Sequence, residues 1–172
     1  MHLRFAAPLW AVFIGLGTPA AAHPDGAPWD SADPDTMHSC ASCHFDHEPI
    51  GRSQALMASG LPEYASPGEV YDIVLRFAAG EGAVAGFLLT VSSGEFTSND
   101  GALQFNGGAV RSAKTAPAGD VVEWAFQWRA GAEEDGLVDF HAAASAANDD
   151  QSAFGDEIHF RKFIVPMTSV RD

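Results

Sequence analysis

From residue 69 onward, apolar side chains recur at every second position. "EVYDIVLRFA" puts Tyr71, Ile73, Leu75 and Phe77 on one face, and "VAGFLLTVS" does the same with Phe87, Leu89 and Val91. "DVVEWAFQWRA" sets Val122, Trp124, Phe126 and Trp128 against Glu123 and Gln127. In "LVDFHAAAS", Val138, Phe140 and Ala142 oppose Asp139 and His141; in "IHFRKFIV", Ile158, Phe160 and Ile164 form the apolar face, which turns His159 outward. Weaker strands fit around 102–105 and 109–112. Period-two alternation marks strands with one buried face. The intervening clusters "AAGEG", "SSGEFTSNDG", "NGG", "APAGD", "AGAEEDG" and "ANDDQSAFGD" carry turn chemistry. Seven or so short strands with no amphipathic helix between them predict an all-β antiparallel sandwich, and a closed barrel would give a similar string. The Trp124–Phe126–Trp128 face reads as core rather than as a ligand platform.

The chain before this region is patterned differently. Residues 23–67 are rich in Asp, Pro, Ser and Gly and alternate little. "RSQALMASG" predicts two helical turns stopped by Gly60. Apart from those turns the segment buries little by itself, so a ligand or a neighbouring domain has to order it. "MHLRFAAPLWAVFIGLGTPAAA" has Arg4, then an apolar stretch, then small residues, which is the pattern of a cleaved secretory leader. The apolar run is shorter than the ~20 residues that a membrane span needs. The organisation read from these shifts is a leader over 1–22, an irregular, short-helical segment over 23–63 and a sandwich over 64–172. No second long apolar stretch follows, so the mature chain has no transmembrane segment. The product is exported, to the periplasm or beyond.

Composition narrows the partners. The chain has 172 residues, 23 acidic and 9 basic, with a formal net charge of −14. Such a surface repels nucleic-acid phosphates and anionic membranes and favours basic partners; it also keeps an exported protein soluble. Two cysteines are too few for a disulfide-built scaffold, and 47% hydrophobic residues allow an ordinary core.

Those two cysteines fall in "TMHSCASCHFDHEPIG". "CASCH", Cys40 to His44, matches the C-x-x-C-H pattern of c-type haem attachment. Two thiols three residues apart can reach the two vinyl groups on one porphyrin edge, and the next histidine can ligate iron from below. Three other readings compete. A redox dithiol wants a thioredoxin-like βαβ setting, which is absent. A structural zinc site wants four ligands, for which Cys40, Cys43 and His44 could be joined by His38 or His47, but exported thiols tend to oxidise. A plain Cys40–Cys43 disulfide would make His44 incidental.

With one covalent haem c, His44 is the proximal iron ligand and the sixth ligand stays open. Met57 has enough loop to fold over the distal face. His47 is only three residues from His44, and Met37 and His38 are strained choices. His141 and His159 project outward from predicted strands, where a docked haem segment could reach them. A methionine would raise the potential relative to bis-histidine, and a vacant position would permit small-molecule chemistry. Weaker features are His23, a copper chelator if it became the amino terminus, and the acidic turns 133–135 and 148–150, which lack calcium-loop spacing. No G-x-S-x-G turn is present.

The ordered string "CASCHF", "GLPEYASPGEVYDIVLRF", "GFLLTV", "VEWAFQWRAG", "DGLVDFHAAASAAND" and "GDEIHF" resembles exported bacterial proteins that join a CxxCH segment to a Reeler-like β-sandwich, the choice-of-anchor V type. The resemblance spans Cys40 to Phe160. Its more specific points are Pro67-Gly68-x-x-Tyr71, Gly86-Phe87, Trp124 with Trp128, and Gly155-Asp156. It implies an immunoglobulin-like sandwich and a haem role. Relatives often carry a His-Thr pair before the tryptophan strand; here Lys114-Thr115 stands there, which makes Lys114 a further sixth-ligand candidate. The combined expectation is a periplasmic mono-haem c-type cytochrome that passes one electron to a basic partner, plausibly a membrane cytochrome b. It is more an electron carrier than an enzyme. The alternative is a secreted binding or adhesion module with a Cys40–Cys43 disulfide and no haem.

Overall fold

The structure is a computed structural model, and it describes residues 26–36, 39–132 and 136–168. The leader, His23, Met37, His38 and the acidic turn 133–135 lie outside the described residues. A 3-10 turn, Cys40–Ser42, is followed by ten strands: β1 Leu56–Ser59, β2 Val70–Phe77, β3 Val84–Val91, β4 Glu95–Thr97, β5 Leu103–Phe105, β6 Ala109–Ser112, β7 Ala116–Pro117, β8 Val122–Arg129, β9 Leu137–Ala147 and β10 Glu157–Pro166. They form two antiparallel sheets, ordered β1-β2-β8-β4 and β10-β9-β3-β6-β5, with β7 also pairing β3. This resolves the sandwich-or-barrel ambiguity in favour of the sandwich. Among the described residues no helix is long and apolar enough to cross a membrane.

The main core lies between the sheets and is built as the alternation predicts. Ile73, Leu75 and Phe77 from β2 and Val122, Trp124, Phe126 and Trp128 from β8 are buried against Phe87, Leu89, Val138 and Phe140. The aromatic face is core. Phe87 packs on Trp124 at 4.6 Å between ring centroids, and Trp128 meets Phe140 edge-on at 4.9 Å. The Trp128 indole N–H donates to the Ser93 carbonyl at 3.2 Å, so burying this ring leaves no orphaned donor.

Three sequence expectations are corrected. Residues 52–60 are not helical: Leu56–Ser59 is a strand that pairs Leu56 with Phe77 and Ser59 with Val74. Leu56 is fully buried, so sheet pairing and burial override helix propensity here. Gly60 ends this strand with φ +86, where a Cβ would sit 1.9 Å from the Asp72 carbonyl oxygen. The cluster "SSGEFTSNDG" contains β4, pinned by buried Phe96, rather than turn alone. His159 points inward, not outward, because β10 is apolar on both faces. His159, Phe163 and Val165 face the main core side. Ile158 and Phe160 face the other way, into a second cluster with Ala32, Leu88, Ala109 and Ala143.

That second cluster is covered by residues 26–36 and 39–50. Ala27, Trp29, Cys40 and Ala41 pack onto it. The chain then adds to the open edge of β10 through an Ile50–His159 bridge, with the Ile50 amide donating to Ile158 at 2.8 Å, and crosses to β1. His159 sits at this crossing. Its Nδ1 is 2.8 Å from the Ser53 hydroxyl, and its ring meets Phe77 at 4.9 Å. Burial holds its pKa below the usual histidine range, opposed by nearby Glu157. A depressed histidine pKa means the unfolded chain binds the proton more readily. The stability from neutral His159 is therefore full above pH ~6.5 and falls as pH drops below it. A His159→Gln variant is expected to flatten the decline of Tm between pH 7.5 and 5.5, as read by scanning calorimetry.

Candidate functional site

The Cys40–Ser42 turn fixes the motif. The amides of Cys43 and His44 both donate to the Cys40 carbonyl, at 3.3 and 3.2 Å. In a 3-10 turn residues three apart eclipse, so Cys40 and Cys43 lie along one side, with His44 next in the chain. Both cysteines are free thiols; Cys43 is exposed and Cys40 half-buried. The Cys40 Sγ lies 3.6 Å from the Ser31 hydroxyl. Burial pushes its pKa up, with a small addition from neighbouring Cys43. The turn is held in place by Ala41 and Cys40 packing on the outer cluster and by the Cys40 amide donating to Ser31 at 3.1 Å.

Residues 44–46 dock on the β9–β10 loop, residues 148–156, through three contacts. His44 Nδ1 lies 2.8 Å from a carboxylate oxygen of Asp156, whose side chain is 3% exposed. Nδ1 is buried and makes no aligned hydrogen bond, so Asp156 is close to it without a well-directed donor–acceptor geometry. Phe45 and Phe154 meet edge to face at 5.5 Å, both exposed. The Gly155 amide donates to Asp46 at 2.5 Å, the largest of the causes that lower the Asp46 pKa. The other Asp156 oxygen accepts the Asn148 amide at 3.3 Å. Burial raises the Asp156 pKa, while Asn148 and His44 oppose the rise. Gly155 has φ +82, and a Cβ there would meet the Asn148 side-chain nitrogen at 2.7 Å. Within 148–150, the side chains of Asn148 and Asp150 are engaged in the loop itself, each accepting the backbone amide two residues on, at 3.1 and 2.8 Å.

The sixth-ligand candidates are scattered. Met57 lies exposed on β1, on the outer side of the four-stranded sheet, and so is separated from His44 by the sandwich thickness of ~10 Å or more. His159 is inside the sandwich. His141 does project onto the outer face that carries the motif, as its parity predicts, and faces Asp33 of the covering segment at 3.5 Å. It stands six residues along β9 from the level of Asp156, roughly 20 Å at ~3.4 Å per residue. Lys114 is exposed between β6 and β7. His47 is exposed beside Asp46 at 3.6 Å. The structure thus places no candidate with His44 as a pair. Among the described residues there is no group of three or more His, Cys, Asp or Glu arranged to hold a metal ion, which leaves the closed zinc reading without its ligand set there. A shallow groove of about 480 Å³, between Asp72, Thr97, Asp100 and Gln127, belongs to the four-stranded sheet and not to the motif.

Sequence reading missed the Asp156 contact with His44. Its only signal was Gly155-Asp156, noted as a point of family resemblance without a role.

No family model matches the chain, and no curated protein matches it at a significant level. Solved structures do. The Reelin-N domain of F-spondin matches with a TM-score of 0.54 at 18% identity, over 75% of this chain and 97% of that one. Two fragments of the human F-spondin reeler domain give TM-scores of 0.51 and 0.50 at 18% and 19% identity, over 69% and 70% of this chain and 92% and 96% of those. The chain is therefore a Reeler-like β-sandwich. At these identities the likeness concerns the fold alone.

Arg111 is one of the ties between the covering segment and the sandwich. Its guanidinium donates to the Ala27 carbonyl and to Gln104 (3.0 and 2.7 Å), and lies 4.2 Å over the Trp29 ring. Loss of these contacts costs about 1–2 kcal/mol. In an Arg111→Ala variant, amide exchange across residues 26–36 is expected to accelerate while β2 and β8 stay protected, as read by hydrogen-exchange mass spectrometry.

Proposed function

We propose that this protein is an exported mono-haem c-type electron carrier, in which Cys40 and Cys43 hold the haem through thioethers and His44 is its proximal ligand. The observation that carries this reading is the motif turn. It carries two free thiols followed directly by an imidazole, and the imidazole's Nδ1 faces Asp156 at 2.8 Å. A ligating histidine commonly has its second nitrogen on a carboxylate, which leaves Nε2 for the metal. The residues present therefore fit the group. When bound, haem supplies reversible one-electron iron chemistry. Cys40 and Cys43 would hold it through thioethers, each formed by addition of the thiol S–H across a vinyl double bond, which needs no oxidant. Exposed Cys43 is the more accessible of the two. Half-buried Cys40 anchors the turn on the sheet.

Charge supports a basic redox partner, such as a membrane cytochrome b. Segments 26–51 and 148–160, which surround the motif, contain no Lys or Arg but nine Asp and Glu. Such a field raises the association rate with a basic protein and is screened by salt.

Expression with the leader in a host that matures c-type haem, followed by haem staining of a denaturing gel, tests the proposal. A stained band at mature size is expected, weakened or lost in Cys43→Ser. A folded but unstained wild-type protein would replace this reading with a binding module. For the loaded protein, electron transfer to a lysine-rich small cytochrome c is expected to slow at least tenfold between 10 and 200 mM salt in stopped-flow measurements.

A further inference from the structure

Asp156 is a buried carboxylate whose two oxygens have different tasks. One accepts the Asn148 amide and closes the β9–β10 loop; the other faces His44 Nδ1 at 2.8 Å. The loop is built to hold it there. Asp149 and Gln151 adopt φ +64 and +63, and Gly155 adopts +82, the left-handed backbone that a tight turn requires. Asp46 and Phe45 clamp the same loop from the motif side. A buried negative charge beside an imidazole favours the tautomer with the proton on Nδ1. It makes the ring a more basic ligand and stabilises the more positive oxidation state of a metal on Nε2.

We propose that Asp156 is the positioning residue for His44: it fixes the Nδ1–H tautomer, leaves Nε2 free to ligate, and holds the reduction potential of the bound haem low. This rests on the cytochrome reading only for its last clause, since the tautomer belongs to the chain itself.

Asp156→Asn separates the two tasks. Its amide oxygen can still accept from Asn148, while an NH2 group then faces His44. That donor calls for a lone pair on Nδ1 and moves the ring proton to Nε2, the nitrogen the iron needs. In the full chain prepared without haem, long-range nitrogen–proton NMR of the His44 ring is expected to show Nδ1–H in the wild type and Nε2–H in Asp156→Asn. In the haem-loaded protein, the midpoint potential is expected to rise in Asp156→Asn and to return toward wild type in Asp156→Glu. A tenfold loss of preference for the oxidised state would be about 59 mV. Asp46→Asn, which removes an exposed charge beside the same loop, is expected to move the potential far less. An Nε2–H tautomer in the wild type overturns the proposal without any variant, as does an unchanged potential in a folded, stained Asp156→Asn protein. Absence of haem from the wild type would instead refute the cytochrome reading and leave the tautomer result standing.

Discussion

The six-stranded sheet is apolar on both faces, and most of the molecule's organisation follows from covering the second one. Ala142, Ala143 and Ala144 are buried in succession, as are Ile158, His159 and Phe160. A strand buried on both sides loses alternation. Its outer face needs a partner, and residues 26–36 and 39–50, which carry no strand of their own, provide one. The small alanines of β9 let that irregular backbone approach closely. Covering the sheet and ordering the CxxCH segment are thus one event, in which Cys40 and Ala41 join the cluster that holds the turn.

The same event brings together residues far apart in sequence. Once the segment lies on the outer face, its end runs along β10 and passes Ser53 to His159 at the sandwich edge. Just before this crossing, His44, Phe45 and Asp46 reach the loop that opens β10. Each meets a different residue of that loop: a carboxylate, a ring and an amide. The site is therefore assembled across two chain segments.

What the sequence by itself determined is an all-β antiparallel fold with the inward sides of its clearest strands, and the residue types of the motif. Strands with one buried face write their orientation in period two, so the inward sides of β2 and β8 could be read directly. The CxxCH spacing is local, so its thiols and imidazole are set by one turn of backbone. Only the tertiary structure decided the rest. His159 was misread because both faces of β10 are apolar and parity alone cannot choose between them. Leu56–Ser59 became a strand because an edge of β2 was available for pairing, which no local propensity encodes. Asp156 came to His44 through a contact more than a hundred residues long in sequence. A long-range polar contact leaves no periodic trace; it is made only where the covering segment lies against the sheet.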